Sequence, residues 1–285
     1  FPYTTLFRSA IVVERPTYLA ALQVFQLAQA NILSVDTDDD GMLVEQLADL
    51  LETTRVKAVY LVPTFGNPGG KTLSEARRRR LVELAKKHDF VIIEDDPYGE
   101  ISFTDEVRRP LYQYAVELGC EDQVVYTSTF SKILAPGMRI GWIVMPDWLA
   151  QQTVIVKQAA DLHTNMLSQV ITAEYLSLNR LDNQIALIRE DYRKKCVALA
   201  DALESRLGEH LEFSRPQGGM FLWARFRYPF DTMEWMKKTL ENGVVYVPGE
   251  AFYHDKPDTR TLRLSYSTVS EAGLLTAVER LAASL

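Results

Sequence analysis

The sequence lacks the features that mark membrane-spanning and disulfide-stabilised proteins. Its apolar runs are far shorter than the ~18 residues that a membrane span requires. Cysteine occurs only twice, and Cys120 and Cys196 form neither a CxxC pair nor a metal-binding spacing. This scarcity of cysteine favours a reducing compartment, so we expect a cytoplasmic location.

Positive charge is also in short supply. The chain carries 31 Lys and Arg residues against 38 Asp and Glu residues, which gives a formal net charge of −7. A balance this acidic argues against nucleic-acid binding. The remaining composition is that of a globular protein, with 47% hydrophobic and 24% charged residues over 285 positions. That length suffices for one large domain or two modest ones.

The first residue of the sequence is Phe1 rather than Met, and no signal-peptide pattern follows it. We therefore expect it to be processed, excised or a fragment. The sequence contains no internal repeat and no low-complexity segment.

In the first half of the chain, short apolar runs alternate with longer helical patterns. Runs rich in Val and Ile are typical of strands that are buried on both faces of a sheet. The predicted strands are Ala10–Val13, Ile32–Val35, Ala58–Val62, Val91–Glu94, Val124–Thr127 and Ile140–Val144. One helix is predicted over Thr72–His88, with Thr72 to Glu75 as a capping box. The alternation predicts an α/β fold with a mostly parallel sheet flanked by helices.

The pattern changes after Pro146. Asp147 to about Leu207 is predicted to form long helices with few breaks. Mixed elements follow, with strands over Gly219–Phe226 and Arg260–Tyr266 and helices over Asp231–Glu241 and Ser270–Ser284. We expect a large domain over residues 1–170, and linking helices with a smaller α+β domain over 171–285.

Four arginines, Arg77–Arg80, follow one another in the first half of the predicted helix. Such a run could bind phosphate or nucleic acid. The acidic overall charge favours a solvated helix face instead.

Four motifs lie at the ends of predicted strands, and ligands of open α/β sheets bind at the carboxyl ends of strands. The first runs from Pro63 to Gly70. Its Asn-Pro and Gly-Gly pairs are typical of a turn. Alternatively, an asparagine just past a buried strand, here Asn67, can direct its amide at a ligand oxygen.

Three carboxylates form the second motif, because Glu94, Asp95 and Asp96 directly follow a buried strand. Buried carboxylates are costly unless a positive group pairs with them. A metal site is one interpretation, but no histidine lies nearby in sequence except His88. We favour a carboxylate that faces a buried cation.

The third motif runs from Ser128 to Lys132 and continues to Arg139. Most lysines are solvated surface residues. A lysine held in a cleft can instead lose its proton and attack a carbonyl group. The neighbouring hydroxyl groups and Arg139 would suit a phosphate.

Arg263 is the fourth feature, since it interrupts the apolar strand Leu262–Tyr266. Its anionic partner is either a structural carboxylate or the carboxylate of a substrate, which an arginine can bind in bidentate fashion. Together, a reactive lysine, an acidic partner for a ring nitrogen, a phosphate site and a carboxylate-binding arginine describe a pyridoxal-phosphate enzyme.

Several motifs resemble those of fold-type-I, class I/II aminotransferases, a family related to aspartate aminotransferase, over the region from about Ala10 to the C-terminus. The resemblance is strongest with aminoadipate-type enzymes and with the aminotransferase-like halves of MocR-type regulators. The motifs are Glu14 to Tyr18, Asn67-Pro68, Asp95 with Tyr98, Ser131-Lys132, Arg139 to Trp142, Pro216 to Phe221 and Val247 to Gly249.

The resemblance implies a role for each matching residue. Lys132 would form the Schiff base with pyridoxal 5'-phosphate and later carry the substrate proton. Asp95 would pair with the ring nitrogen, and Asn67 and Tyr98 would bind the phenolic oxygen. Arg263 would bind the substrate α-carboxylate. The remaining cofactor-binding residues would be Tyr18, stacked on the ring, and Thr129, Ser131 and Arg139 at the phosphate.

The family resemblance further implies a ping-pong transfer of an amino group between an amino acid and a 2-oxo acid, in a homodimer. A ligand-sensing domain of a MocR-type regulator is an alternative function, and an inactive fragment is another. Family members carry an upstream segment with a further strand and a Gln-Gln turn, to which Phe1–Ser9 shows no similarity. We therefore expect Ile140–Val144 to expose a sheet edge, and this chain alone to be poorly soluble, weak in cofactor binding and nearly inactive.

Overall fold

A seven-stranded sheet dominates the first half of the structure, a computed structural model that describes residues 10–106 and 108–285. The segment Phe1–Ser9 lies outside the described residues. The strands are β1 (Ala10–Arg15), β2 (Asn31–Asp38), β3 (Gly41–Met42), β4 (Val56–Leu61), β5 (Val91–Asp95), β6 (Val124–Thr129) and β7 (Gly141–Val144). Their order is β3-β2-β1-β4-β5-β6-β7. The five central strands are parallel, whereas β3 and β7 pair antiparallel to their neighbours. The predicted α/β class is confirmed.

Helices cover both faces of this sheet. They are α1 (Leu19–Leu27), α2 (Val44–Leu51), α3 (Glu75–His88) and α4 (Leu111–Leu118). Helices α2, α3 and α4 pack against one face over a core that includes Val59, Leu61 and Ile92. Helix α1 packs near the other face, beside Val13 and Tyr60. Different helices therefore cover the two faces of the sheet.

The predicted capping box is wrong, and the helix begins at Glu75 rather than at Thr72. The Thr72 hydroxyl instead accepts a hydrogen bond from the Phe65 amide (3.2 Å). The Glu75 carboxylate accepts a hydrogen bond from the Tyr114 hydroxyl of α4 (2.7 Å). Tertiary partners have thus taken both side chains that the capping pattern assigned to the helix end.

The four arginines of α3 differ in their surroundings, so a solvated face is the wrong description for one of them. Arg78 is buried, with 3% exposure. Its guanidinium donates to the Pro63 carbonyl (2.7 Å) and the Thr64 hydroxyl (2.8 Å) and lies 3.9 Å from the Glu94 carboxylate. Arg77, Arg79 and Arg80 form ion pairs with Asp38, Glu83 and Glu45 near the surface.

Strand β7 is an edge strand of the sheet formed by the described residues, as expected from the sequence. It pairs only with β6, and Ile143 and Val144 are 42% and 40% exposed. The low solubility expected from such an edge stays a prediction, as do the weak cofactor binding expected without the Gln-Gln turn and the low activity.

Long helices and a second sheet follow, which confirms the change of pattern predicted after Pro146. The elements are α5 (Asp147–Asp161), α6 (Met166–Ser177), α7 (Leu181–Leu207), β8 (Leu211–Phe213), β9 (Phe221–Phe226), α8 (Thr232–Glu241), β10 (Val247–Pro248), β11 (Thr261–Ser265) and α9 (Glu271–Ala283). The second sheet is antiparallel, in the order β10-β11-β9-β8. The domain boundary near residue 170 stays a prediction. No helix in the described part of the chain has the length and apolarity needed to cross a membrane.

Candidate active site

The pleat of β5 separates Glu94 from Asp95, the last two residues of the strand, and Asp96 follows it. Successive side chains of a strand point to opposite faces, and paired residues of neighbouring strands share a face. Asp95 pairs with Thr127 of β6, and Glu94 pairs with Leu61 of β4 and Tyr126 of β6. Asp95 therefore points to the α1 side of the sheet, and Glu94 to the side covered by α3 and α4.

Glu94 is the carboxylate that faces the buried cation. It is fully buried, and it accepts hydrogen bonds from the backbone amides of Leu111 (2.8 Å) and Tyr112 (3.0 Å). Arg78 lies 3.9 Å away. Burial raises the pKa of Glu94 to about 7. This carboxylate anchors the start of α4 and is turned away from the predicted cofactor site.

Asp96 is also turned away from Asp95. Its carboxylate accepts from the Gly99 amide (3.0 Å) and the Tyr126 hydroxyl (3.3 Å). Burial raises the pKa of Asp96 to about 6, although the charge of Arg78 opposes the shift. Of the three carboxylates, Asp95 alone shares a face with the other predicted site residues.

Asp95 has hydroxyl donors and no cation among its neighbours in the described parts of the chain. The Tyr60 hydroxyl donates to Oδ2 (2.6 Å), and the Thr127 hydroxyl donates to Oδ1 (3.2 Å). Burial raises the pKa of Asp95, and these two hydrogen bonds oppose that shift. A partly buried carboxylate with neutral partners is suited to receive a cationic group.

Asn67 and Arg263 meet although 196 positions separate them in the chain. Asn67 is buried in the turn after β4, so the predicted turn is confirmed, whereas its contact with a ligand oxygen stays a prediction. The Arg263 Nη1 donates to the Asn67 Oδ1 over 2.7 Å. The Tyr98 hydroxyl lies beside the Asn67 amide, and burial and the charge of Asp95 raise the pKa of Tyr98.

Two aromatic rings hold the Arg263 guanidinium. Its Cζ lies 4.0 Å from the ring centre of Phe221 and 5.0 Å from that of Phe252. No carboxylate in the described residues forms a salt bridge with it, and its buried Nε has no hydrogen-bond partner there. The structural salt bridge considered for Arg263 is thus not found among these residues, and the guanidinium keeps donors for an anion.

Lys132 lies just beyond β6 and is half-buried. Burial lowers the pKa of its ammonium group, and the positive charges of Arg139 and Arg263 lower it further. A lysine in these surroundings gives up its proton more readily than a surface lysine, and the neutral amine is the nucleophilic and basic form.

The segment around Lys132 clusters hydroxyl groups and a guanidinium. The Thr129 Oγ1 accepts from the Ser131 amide (3.0 Å) and donates to the Ile140 carbonyl (2.9 Å). The Arg139 Nη1 donates to the Ser131 Oγ (3.3 Å) near the surface. The three predicted phosphate-binding residues, Thr129, Ser131 and Arg139, are therefore adjacent in space as well as in sequence.

Tyr18 stands at the start of α1 and is 36% exposed. It lies near Tyr60 and Tyr98, where burial and the charge of Asp95 raise the pKa of both hydroxyl groups and Tyr18 adds a smaller contribution. The preceding residues fasten this segment to the second half of the chain, since Arg15 pairs with Asp255 (2.7 Å) and the Thr17 amide donates to the Phe252 carbonyl (2.9 Å). Tyr18 and Phe252 are thereby brought to the same site.

Two residues of the site were not identified from the sequence. Tyr60 and Thr127 lie within predicted strands, where they are counted as ordinary strand residues. One signal was available for Tyr60, because a tyrosine inside a buried strand needs a partner for its hydroxyl group. The sequence does not say which partner that is.

The residues present fit pyridoxal phosphate and an amino acid in the sign and position of their charges. The partly buried Asp95 carboxylate has no cationic partner among the described residues, and the cations Lys132, Arg139 and Arg263 have no carboxylate partner there. A protonated ring nitrogen, a phosphate and a substrate carboxylate are the groups that would complete these pairs.

Comparison with known proteins identifies the class. The family described as "Aminotransferase class I and II" matches residues 4–281, so the similarity begins slightly before Ala10. The aromatic-amino-acid aminotransferase 1 of Thermococcus litoralis is 42% identical over 280 residues, which cover 96% of this chain and 66% of that protein. The chain belongs to the class I and II aminotransferases.

Two further relatives indicate the branch. The crystal structure of LysN, the α-aminoadipate aminotransferase of Thermus thermophilus complexed with N-(5'-phosphopyridoxyl)-L-leucine, has a TM-score of 0.93 at 33% identity. It is matched over 97% of this chain and 71% of that one. The HTH-type transcriptional regulator YisV of Bacillus subtilis is 30% identical over 271 residues, covering 95% of this chain and 55% of the regulator. The chain has fold type I of the pyridoxal-phosphate enzymes. Within the aminotransferase family it belongs to the aminoadipate-type branch.

Proposed function

We propose that this protein is a pyridoxal-phosphate-dependent aminotransferase that moves an amino group between an amino acid and a 2-oxo acid. The observation that carries the proposal is the partly buried Asp95 carboxylate, which has only hydroxyl donors among the described residues. Since the chain spans 66% of its T. litoralis relative, the proposal concerns the protein to which this chain belongs.

Each predicted residue has a part in the proposed reaction. When bound, the cofactor supplies an electron sink for the substrate Cα. Asp95 keeps the ring nitrogen protonated, because a negative charge at ~4 Å favours the cation by roughly 4 kcal/mol at an effective dielectric near 20. Arg263 binds the substrate carboxylate and orients the bond that breaks. Lys132 Nζ takes up and returns the proton of the substrate Cα.

The remaining residues hold the cofactor. Asn67 and Tyr98 would donate to its phenolic oxygen, and Tyr18 would cover the ring. Thr129, Ser131 and Arg139 would bind its phosphate. Their support is the proximity of Asn67 to Tyr98 and the hydrogen bonds of Ser131 to Thr129 and Arg139.

Aromatic amino acids are the first substrates to test, because the T. litoralis relative is an aromatic-amino-acid aminotransferase. The protein is incubated with pyridoxal phosphate, an aromatic L-amino acid and 2-oxoglutarate, and the newly formed amino acid is measured by chromatography. We expect formation of glutamate, and none from a Lys132→Ala variant. Cofactor binding without any amino transfer to a panel of 2-oxo acids would contradict the proposal.

Regulation is a second candidate function, because the chain is 30% identical to a region of the regulator YisV. A sensing domain would bind the cofactor and an amino acid yet show no turnover. The amino-transfer experiment therefore separates the two functions. The expected cytoplasmic location stays a prediction.

We also propose that the protein acts as a homodimer. Helix α5 has no buried residue in the structure, and apolar side chains of α5 and α6 face outward. They include Val154, Ile155, Val156, Leu167 and Val170, each at least 55% exposed. Exposed apolar surface of this kind is typical of a protein interface. Sedimentation of the cofactor-loaded, active protein as a monomer would contradict this proposal.

A further inference from the structure

The Asp95 carboxylate is held from both sides by the strands that flank it. Tyr60 of β4 donates its hydroxyl hydrogen to Oδ2 (2.6 Å), and Thr127 of β6 donates to Oδ1 (3.2 Å). Each carboxylate oxygen thus has one donor, and the donors lie on opposite neighbouring strands of β5. Two such bonds fix the rotation of the carboxylate about its Cβ–Cγ bond.

The surroundings of Tyr60 keep its hydroxyl group protonated and directed as a hydrogen-bond donor. Its side chain is 6% exposed, and the ring of Phe25 packs edge-on against it with the ring centres 5.6 Å apart. Burial and the charge of Asp95 raise the pKa of Tyr60 well above its usual value. The phenol therefore keeps its proton, and the packed ring has little freedom to turn the hydroxyl away from Asp95.

These hydrogen bonds act on the charge of the carboxylate as well as on its orientation. Burial alone favours a protonated, neutral Asp95, and donors to the carboxylate favour the ionised form. An ionised carboxylate is the form that can stabilise a protonated ring nitrogen. The same contacts that orient Asp95 therefore also favour the state in which it can act.

We propose that Tyr60 is a positioning residue of the aminotransferase reaction, which orients the Asp95 carboxylate toward the ring nitrogen and keeps it charged, an inference that rests on the function proposed above. Thr127 supports Asp95 from the other side. The hydroxyl group of Tyr60 has this role, whereas its ring is part of the core.

The test compares Tyr60→Phe with Tyr126→Phe. Tyr126 of β6 donates to the neighbouring carboxylate of Asp96 (3.3 Å) on the opposite face of the sheet, so it is a matched control. Binding of two probes is measured by quenching of tryptophan fluorescence. The probes are pyridoxal phosphate and a deaza analogue in which carbon replaces the ring nitrogen. Asp95→Asn and the Tyr60→Phe/Asp95→Asn double variant complete the set.

We expect Tyr60→Phe to weaken binding of pyridoxal phosphate and to slow turnover by roughly tenfold or more, the usual effect of losing a hydrogen bond to a charged group. Binding of the deaza analogue should not change, because it has no ring nitrogen to engage Asp95. Tyr126→Phe should bind both probes as the wild type does. In the Asp95→Asn background, Tyr60→Phe should have little further effect.

The possible failures are distinguishable. If Asp95→Asn binds both probes and turns over like the wild type, the proposed role of Asp95 is wrong. The positioning role of Tyr60 is wrong if Asp95→Asn impairs cofactor binding and turnover but Tyr60→Phe does not. It is also wrong if Tyr60→Phe weakens the binding of both probes equally. Should Tyr60→Phe fail to fold, Thr127→Val is used instead, because it removes the other donor to Asp95. It is judged in the same way, by comparing its binding of pyridoxal phosphate with its binding of the deaza analogue.

Discussion

The Arg263 guanidinium donates to the Asn67 side chain over 2.7 Å and so joins the antiparallel sheet to the loop after β4 of the parallel sheet. This contact leaves the Arg263 Nε buried without a partner among the described residues. It also places the guanidinium between Phe221 and Phe252. The geometry leads to a first prediction about substrate binding.

Arg263→Lys should reduce kcat/KM for the amino acid by roughly 100-fold, because lysine cannot form the two parallel hydrogen bonds that a guanidinium offers a carboxylate. Steady-state kinetics at several amino acid concentrations measures the effect. Arg225→Lys is the control, since Arg225 lies on neighbouring β9 and pairs with Glu212 and Asp258. Equal losses in the two variants would argue against substrate binding by Arg263.

Lys132 should carry the cofactor. Its position beyond β6 and its lowered pKa make it a good candidate for attack on the cofactor aldehyde. Borohydride reduction of the cofactor-loaded protein, followed by peptide mapping, should recover the pyridoxyl label on Lys132. A label on any other lysine would show that the assignment is wrong.

Above pH 7, where Glu94 is ionised, Arg78→Leu should destabilise the fold by about 3–5 kcal/mol, because it leaves the buried Glu94 carboxylate without its nearest cation. Four acceptors also lose their donor, namely the Thr64 hydroxyl and the carbonyl groups of Pro63, Leu73 and Arg109. Urea unfolding monitored by circular dichroism measures the change.

The matched control for that variant is its neighbour in α3. Arg79 is exposed, and in the described part of the chain it pairs only with Glu83 at the surface. Arg79→Leu should therefore change the free energy of unfolding by no more than about 0.5 kcal/mol. A similar small effect of both substitutions would mean that the buried cation contributes little.

The pKa of Glu94 makes stability depend on pH. Its folded-state pKa is about 7 against an ordinary value of 4.5, so the folded protein binds more protons than the unfolded chain between these values. The contribution of Glu94 to the free energy of unfolding is therefore fully present below pH 4.5 and is lost as the pH rises from 4.5 to about 7. The full shift corresponds to about 3 kcal/mol.

Glu94→Gln removes this titration. As the pH increases from about 5 to about 7.5, the free energy of unfolding of the wild type should fall relative to that of the variant. Urea titrations at several pH values across that range provide the measurement. A difference that stays constant with pH would contradict the prediction.

Local patterns in the sequence determined much of the fold. Val- and Ile-rich runs predicted the six longer strands of the large sheet, because strands buried on both faces exclude polar residues. The helical patterns after Pro146 were predicted for the same kind of reason, since their period persists over many turns. The motifs at strand ends predicted Asn67, Asp95 and Lys132 as site residues, because ligands of open α/β sheets bind where the strands end.

Tertiary structure decided what the local patterns left open. Four consecutive arginines look alike in sequence, yet only Arg78 turns toward the sheet and meets Glu94. The capping pattern at Thr72 and Glu75 was overridden by partners on distant segments. Likewise, Tyr60 and Asp95 are 35 positions apart, and only the pairing of β4 with β5 brings them together. Strand and helix periods depend on neighbours along the chain, whereas the partner of a buried polar group depends on how the elements pack.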